Sequence, residues 1–467
     1  MPDFYAESLT PDADTELLAT IDLLPDEDRR RFKAAMALSL LWSFTLVLHL
    51  FAWGTWVVAC LTVIVGWHVV RVVRSQPQAT PLALPSVAAA ATDAAIASPA
   101  SYPYISLLVA AKNEASVIEG LVESLCQLDY PRHRYDLWII NDNSNDQTGE
   151  ILDRLKADYP QLHVIHRGAD AIGGKSGALN LVWPRTQGDI LAVFDADAQV
   201  PPDLLRQVVP MLTQKSTESA ASVGAVQVRK AIANASLNFW TRGQRAEMAL
   251  DSYYQQQRVA LGGIGELRGN GQFIRRDAIT QCGGWNEETI TDDLDLTLRL
   301  HLENWDIAFL NVPAVQEEGV TQGISLWHQR NRWAEGGYQR YLDYWRPIVQ
   351  RLSLLKLSDL LAFMVMQYLI PIAAVPDLVF AVVRHRPPVY TPLTTLTVGI
   401  SCWGMFMGIR RTQPVSVFSA VGQTLQGIVY MMHWAIVMST TTLRVAVRPK
   451  RLKWVKTVHT GDREAQC

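Results

Sequence analysis

Cysteine is scarce in this chain of 467 residues, and no two of its five cysteines have the spacing of a metal site or of a disulfide framework. They are Cys60, Cys126, Cys282, Cys402 and Cys467, of which Cys60 and Cys402 lie in apolar runs. The formal net charge is -3, so no excess of positive charge points to a nucleic-acid partner. The lack of a disulfide framework is typical of a reducing compartment, and we expect the polar part of the chain to lie in the cytosol.

Charged residues are nearly absent from two runs near the N-terminus, 34–53 and 56–70. Apolar stretches of roughly 17 to 20 residues are long enough to cross a bilayer as helices, and the first run begins too late and is too long for a secretory signal. Basic residues flank the pair on both outer sides: Arg29, Arg30, Arg31 and Lys33 before it, Arg71 and Arg74 after it. We therefore expect a transmembrane hairpin at 34–74 with both ends in the cytoplasm. An acidic segment, 1–33, precedes it, and a linker rich in Ala, Pro and Ser, 75–102, follows it.

A second apolar block, 346–445, lies near the C-terminus and contains three candidate spans, at about 360–383, 393–409 and 417–440. Three crossings would put the C-terminus outside the cell, whereas the basic tail at 446–467 indicates that it is inside. We therefore expect one of the three to be interfacial or re-entrant, and the sequence leaves open which one.

Between these blocks, residues 103–345 alternate short apolar runs with amphipathic helical patterns, which is typical of an α/β domain with a largely parallel sheet. The clearest strands are 105–110, 137–140 and 190–194, and each ends in polar residues. Because ligands bind outside the carboxyl ends of strands in such sheets, we expect these polar residues to converge on one edge.

The first polar clusters are residues 112–114 (Lys-Asn-Glu) and 141–144 (Asn-Asp-Asn-Ser). The carboxylate of Asp142, at a strand end, can accept the N–H of a pyrimidine ring. Asn113 and Glu114 stand at the start of a predicted helix. Both clusters also have an ordinary interpretation, an N-terminal cap and a capping turn.

A glycine-rich loop at residues 173–177 (Gly-Gly-Lys-Ser-Gly) runs into a predicted helix. Backbone N–H groups at a helix N-terminus attract phosphate, and Lys175 adds a full positive charge. The loop lacks the spacing of a P-loop, so it is a weak signal alone.

After the next apolar strand come Asp195 and Asp197, two carboxylates that repel each other unless a cation lies between them. Oxygen ligands suit Mg²⁺ or Mn²⁺ bridging a diphosphate, and we interpret this Asp-Ala-Asp as a metal site.

Two more clusters follow. Residues 291–293 (Thr-Asp-Asp) precede a helical pattern, where they can cap the helix, aim one carboxylate into a pocket as a general base, or do both. Gln329, Arg332 and Trp333 precede the second apolar block. They suit either an anchor at the lipid interface or a clamp on a diphosphate and an acceptor.

In this order the clusters resemble family 2 of the inverting membrane glycosyltransferases, the QxxRW type with a GT-A fold. The resemblance covers about 104–344, and residues 329–333 are its most specific element. It implies that Asp142 binds the uracil base and that Lys175 faces the diphosphate. Asn113 and Glu114 would help to bind the donor.

The same resemblance assigns Asp195 and Asp197 to the DxD motif, with Asp197 ahead of Asp195 as the direct metal ligand. Asp293 matches the last residue of the family's Thr-Glu-Asp base motif, but this chain has Asp292 in the middle position. That change leaves open the choice of base among Asp292, Asp293 and Asp295.

The resemblance implies an enzyme that transfers a sugar from a UDP-sugar, with inversion and with Mg²⁺ or Mn²⁺, to an acceptor at the membrane. Polysaccharide synthases of this type need more helices to line a channel than the four or five spans expected here. The layout is more similar to members that move glucose from UDP-glucose to 1,2-diacylglycerol and give a β-glucosyl lipid; a processive β-polysaccharide synthase is the alternative. The expected partners are a UDP-sugar, a membrane lipid and the bilayer, with no nucleic acid. A non-catalytic membrane protein is disfavoured because every acidic position that the chemistry needs is present.

Overall fold

The computed structural model describes residues 26–77, 79–88, 102–213 and 222–448. The start of the expected acidic segment, much of the expected linker, the basic tail beyond Arg448, and Cys467 lie outside the described residues.

One seven-stranded mixed sheet forms the centre of the domain between the apolar blocks. Its strands are β1 (Ile105–Ala111), β2 (Tyr135–Asn141), β3 (Leu162–His166), β4 (Ile190–Phe194), β5 (Ser222–Ile232), β6 (Gln272–Arg275) and β7 (Trp305–Glu317). The spatial order is β3-β2-β1-β4-β6-β5-β7, and only β6 runs antiparallel to its neighbours. The predicted α/β class with a largely parallel sheet is confirmed.

The helices are α1 (Asp26–Leu50), α2 (Gly54–Arg74), α3 (Ile118–Cys126), α4 (Thr148–Asp158), α5 (Gly174–Val182), α6 (Leu204–Thr213), α7 (Phe239–Ala260), α8 (Arg276–Gln281), α9 (Asp292–Leu302), α10 (Gly323–Arg351), α11 (Leu354–Met364), α12 (Ile370–Arg384), α13 (Thr391–Thr412), α14 (Val417–Met431) and α15 (His433–Val447). A single π-helical turn, Val365–Leu369, joins α11 to α12.

The central strands are buried on both faces, as expected for apolar runs in a parallel sheet. One face packs against α3, α4 and α6, and the other against α5, α8 and α9. The register pairs Ala111 with Asn141 and Val109 with Phe194. The carboxyl ends of β1, β2 and β4 therefore meet at one edge of the sheet, where the polar clusters of the sequence begin.

In the part of the chain that the structure describes, four helical segments are long and apolar enough to cross a membrane: Asp28–Leu50, Gly54–Arg74, Leu354–Arg384 and Thr391–Thr412. The run at 417–440, predicted as one span, is instead broken at Met432 into α14 and α15, of 15 residues each. Met432 keeps helical dihedral angles, φ -58° and ψ -25°, so the interruption is local. It differs from the uninterrupted helix that the sequence predicts.

Helix α13 packs closely on α7, a long helix of the sheet domain, through two glycines four residues apart. A Cβ on Gly404 would lie 2.3 Å from the Tyr254 ring, and a Cβ on Gly408 would lie 2.0 Å from the Ala249 carbonyl oxygen. Such small residues allow backbones to approach each other. This contact fixes the apolar C-terminal block to the sheet domain.

We expect Gly408→Ala to destabilise the protein by about 1 to 3 kcal/mol, since the added methyl group meets backbone that cannot move independently. The measurement is the apparent melting temperature of the detergent-purified protein. Gly399→Ala in the same helix is the matched control, because a Cβ there has no neighbour within 4 Å. Equal melting temperatures for the two variants would contradict the close packing.

Candidate active site

Asp142 follows β2 at the sheet edge and is held by a cation that sequence analysis did not identify. Arg167 donates from Nη1 to Asp142 Oδ1 at 2.7 Å, and the Nζ of Lys112 lies 4.0 Å from the other carboxylate oxygen. Arg167 also donates to the carbonyl oxygens of Gly174 and Ile172. It therefore joins the predicted base-binding carboxylate to the glycine-rich loop. Arg167 could have been predicted from its position directly after β3, because that strand ends at the same edge of the sheet as β2.

Asn113 and Glu114 lie in the turn after β1, where their polar groups stabilise the loop after β2. The Asn113 N–H donates to Ser144 Oγ at 2.9 Å, and the Asn113 side chain accepts the N–H of Asn145 at 2.8 Å. The Glu114 N–H donates to Thr148 Oγ1 at 2.8 Å. These contacts support the ordinary interpretation of the cluster as a structured turn, although both residues remain beside Asp142.

The glycine-rich loop has the backbone conformation that its glycines predict. Gly173 and Gly174 both have positive φ, at 79° and 51°, and α5 begins at Gly174. An L side chain at the φ of Gly173 would be strained, so this position favours glycine. The first N–H groups of α5 thus form a helix N-terminus beside Lys175, an arrangement that favours an anion.

Lys175 contacts the first aspartate of the Asp-Ala-Asp motif. Its Nζ lies 2.7 Å from Asp195 Oδ1. Burial alone would lower the pKa of Lys175, but the charges of Asp195, Asp292 and Asp293 outweigh it and hold that pKa above its ordinary value. Lys175 in turn offsets the burial of Asp195 and keeps its pKa below the ordinary value. Lys175 is therefore charged and faces three carboxylates from two elements.

Asp197 follows on the same strand end and accepts the backbone N–H of Glu318 at 3.1 Å through Oδ2. Among the residues that the structure describes, no group of three or more His, Cys, Asp or Glu side chains could hold a metal ion. Mg²⁺ is usually held by one or two carboxylates together with substrate phosphates and waters. Asp195 and Asp197, both partly exposed at the strand end, fit that kind of shared site.

The three aspartates at the start of α9 differ in their contacts, which bears on the choice of base. Asp295 is buried and bound by Arg299 at 2.7 Å, by Tyr344 at 2.8 Å and by the Asn286 side chain, so its oxygens are engaged in holding the fold. Asp292 and Asp293 are only partly buried.

Asp293 has the more perturbed environment. Burial and the neighbouring charge of Asp292 raise the pKa of Asp293 to about 6, against the opposing effects of the Leu294 N–H, Lys175 and Lys230. A carboxylate with a pKa near the working pH is suited to general-base catalysis. Gly269, with φ of 86°, lies beside this carboxylate, since a Cβ there would make an ordinary contact with Asp293 Oδ2 at 3.5 Å.

Helix α10 brings the remaining predicted residues to this pocket. Burial lowers the pKa of Arg332 below its ordinary value, and the charges of the nearby Asp195, Asp292 and Asp293 offset part of this effect. Gln329 lies one turn earlier, with a buried side-chain oxygen that has no hydrogen-bond partner among the described residues.

Trp333 contacts Lys230 of β5, whose Nζ lies 5.5 Å from the centroid of the Trp333 ring. This contact places the ring beside the same pocket. Lys230 pairs with Glu317 at 3.1 Å and interacts electrostatically with Asp195 and Asp293. Lys230 could not be predicted from the sequence, because it lies within a strand and belongs to no motif. The structure thus brings Lys175, Asp195, Asp293, Arg332 and Trp333 together, while Asp142, Asn113 and Glu114 lie along the same edge and are connected to the pocket through Arg167.

The sequence profile of the family described as "Glycosyltransferase like family 2" matches residues 103–336. The chain belongs to glycosyltransferase family 2. The resemblance given by the motifs is thereby confirmed. Within the family, the chain is 56% identical over 442 residues to the beta-monoglucosyldiacylglycerol synthase of Trichormus variabilis, an alignment that covers 93% of this chain and 90% of that protein. It is 53% identical over 464 residues to the enzyme of the same name from Synechocystis sp., covering 98% and 94%.

A solved structure shares the fold of this family 2 glycosyltransferase. The mannosyltransferase from Pyrobaculum calidifontis, solved in complex with GDP-Man and Mn²⁺, superposes with a TM-score of 0.51 at 16% identity, covering 87% of this chain and 98% of that chain. At this level of identity the match shows the fold alone. The predicted GT-A fold is confirmed.

We expect kcat/KM to fall as the pH drops through about 6, because Asp293 must be deprotonated to accept a proton and its pKa is raised to about 6. Asp292→Asn should move this acidic limb to lower pH, since the variant lacks the neighbouring charge that raises the pKa of Asp293. The measurement is a pH–rate profile of both proteins at subsaturating acceptor. An acidic limb at the same pH in the two proteins would contradict the coupling of these carboxylates.

Proposed function

We propose that this family 2 glycosyltransferase transfers glucose from UDP-glucose to the hydroxyl of 1,2-diacylglycerol, with inversion, to give a β-glucosyl lipid. The observation that carries the proposal is the placement of Asp293, a carboxylate with a raised pKa, in one pocket with Lys175 and Asp195. The identity of 53–56% to beta-monoglucosyldiacylglycerol synthases, over almost the whole chain, supports this acceptor over a growing polysaccharide.

The donor lies across the carboxyl ends of β1, β2 and β4 in this proposal. Asp142, oriented by Arg167, accepts the N–H of the uracil ring. The N-terminus of α5 and Lys175 face the diphosphate, and they stabilise the negative charge that develops on UDP as it leaves. Asn113 and Glu114 keep the turn beside the base in place.

A divalent metal, Mg²⁺ or Mn²⁺, belongs to this donor site, and Asp197 with Asp195 would hold it. When bound, such a cation supplies Lewis-acid stabilisation of the leaving diphosphate. Lys175 contributes positive charge to the same leaving group, and its 2.7 Å contact with Asp195 keeps it next to the motif.

Asp293 acts as the base. It removes the proton from the acceptor hydroxyl, whose oxygen attacks the anomeric carbon from the face opposite UDP, so that one displacement inverts the configuration. Lys230 and Arg332 balance the negative charge of the carboxylates around the reaction centre. Gln329, Arg332 and Trp333 form the clamp that closes the site over the diphosphate and the acceptor.

The chain is a membrane protein, and we place its catalytic domain, residues 103–345, on the cytoplasmic side. The four candidate spans among the described residues give an even number of crossings, which puts the start of α1 and the end of α13 on one side. This arrangement agrees with the basic residues at the end of α2 and in the last turn of α13. The site then opens beside the lipid that it glucosylates.

The activity is tested with purified protein, radiolabelled UDP-glucose, Mg²⁺ and diacylglycerol in detergent. We expect the label in one small organic-soluble glycolipid; label in an insoluble polymer would favour a polysaccharide synthase instead. Asp293→Asn should reduce transfer by about 10²- to 10⁴-fold, the usual contribution of a general base, and should leave UDP binding largely intact. Asp277→Asn, at an exposed position, is the control. Unchanged turnover in Asp293→Asn would overturn the base assignment.

The metal assignment is tested separately by calorimetric titration of UDP with and without Mg²⁺. Asp197→Asn should remove the metal dependence of UDP binding, because its amide is a much weaker ligand for a hard cation than a carboxylate. Metal-dependent binding that persists in this variant would count against Asp197 as the ligand.

A further inference from the structure

Arg330 lies inside the clamp segment of α10 but belongs to none of its motif positions. Its side chain is 0% exposed, which is unusual for arginine. The Nη2 group donates to Glu247 Oε2 at 2.6 Å and to the hydroxyl of Tyr430 at 3.0 Å. A buried charge of this kind is costly unless it is paired, so its surroundings indicate what it holds in place.

Two tryptophan rings flank the Arg330 guanidinium. Its central carbon lies 4.0 Å from the centroid of the Trp333 ring and 5.6 Å from that of Trp434. Both Nε and Nη1 of Arg330 are buried without a hydrogen-bond partner among the described residues. Contact of the guanidinium with the aromatic rings is therefore a main compensation for the burial of these two N–H groups. Through this contact the position of the Trp333 ring depends on Arg330.

Glu247 of α7 anchors the arrangement. Its Oε1 accepts the indole N–H of Trp434 at 2.7 Å, while Oε2 accepts from Arg330 and from the Tyr430 hydroxyl at 3.2 Å. Tyr430 lies so close to α7 that a Cβ on Gly243 would approach its ring to 2.2 Å. Tyr430 and Trp434 stand on either side of the break at Met432, so both α14 and α15 reach the same carboxylate.

We propose that Arg330 is a positioning residue that fixes the indole of Trp333 for the lipid acceptor, with Glu247, Tyr430 and Trp434 holding Arg330. The junction of α14 and α15 thereby takes part in acceptor binding without touching the acceptor. This role rests on the proposed function, in which Trp333 belongs to the acceptor clamp.

The test is steady-state kinetics of Arg330→Lys in mixed micelles. The mole fraction of diacylglycerol is varied at saturating UDP-glucose, and the concentration of UDP-glucose is varied at saturating diacylglycerol. Lysine keeps the charge but lacks the planar group that stacks between two rings. We expect the acceptor KM to rise about tenfold, the loss of one desolvated cation–π contact. The donor KM should stay within about twofold of that of the unsubstituted protein, because the donor pocket is intact. The rate of UDP release in the absence of acceptor should stay within the same range.

Trp434→Phe provides a second variant that keeps a ring but removes the N–H donated to Glu247. It should raise the acceptor KM about threefold, in the same direction as Arg330→Lys. It also keeps the proposal testable if Arg330→Lys does not fold.

The matched control is Arg258→Lys. Arg258 is also buried, pairs with Asp359 at 2.9 Å and lies 4.4 Å from the centroid of the Phe363 ring. Among the described residues, neither of these partners belongs to the clamp. The Arg258→Lys variant should have a lower melting temperature without a selective change in the acceptor KM. Trp403→Phe is the control for Trp434→Phe, because Trp403 is half exposed on α13.

An acceptor KM that is unchanged in Arg330→Lys, or that changes in equal proportion in Arg258→Lys, would overturn the positioning role and leave the proposed function standing. Failure of the unsubstituted protein to make a glucosyl lipid would instead overturn the proposed function, and the positioning role with it. A selective rise in acceptor KM in both clamp variants supports the role.

Discussion

The site depends on the balance of charge at the carboxyl edge of the sheet. Asp195, Asp292 and Asp293 face one another across a partly buried pocket, and such a cluster is stable only if cations neutralise it. Lys175 from α5, Lys230 from β5 and Arg332 from α10 supply them. Each cation comes from a different element. The repulsion among the carboxylates is therefore offset only when these elements are packed together. The same balance raises the pKa of Asp293 to about 6 and keeps Lys175 charged, which are the states that the proposed mechanism needs.

Buried ion pairs also join the catalytic domain to the apolar helices. Within the catalytic domain, Glu266, with no exposed surface, pairs with Arg268 at 2.7 Å and with Arg340 of α10 at 3.0 Å. Nearby, Arg258 of α7 pairs with Asp359 of α11, which also accepts from His68 of α2. Removing one partner from such a pair leaves an uncompensated charge, which is strongly destabilising. The two parts of the chain therefore form one folded unit around these charges.

Much of this arrangement could be predicted from the sequence, because it follows local patterns. The strand at 190–194 agrees with β4 at both ends, since a buried parallel strand is a continuous apolar run. The positions of Asp142, Asp195 and Asp293 at strand ends and at a helix start could be predicted, because the sequence changes there from apolar to polar residues. Arg167 and Lys230 were missed, because their roles depend on where long side chains reach. The break at Met432 was also missed: hydropathy at 417–440 is continuous, and only the tertiary contacts of Tyr430 and Trp434 with Glu247 distinguish it from a single span.

Helix α10 runs for 29 residues without interruption, from the clamp to the start of the apolar C-terminal block. The expected domain boundary near residue 345 falls inside this helix, so it is a boundary of composition and not of folding. A soluble fragment that ended there would expose the Arg330 and Arg340 faces to water and lose Tyr430, Trp434 and Tyr368 as their neighbours. In an enzyme of this design, the helices of the apolar C-terminal block serve as part of the wall of the catalytic domain. An intact apolar block then becomes a condition for the observed position of the Trp333 ring.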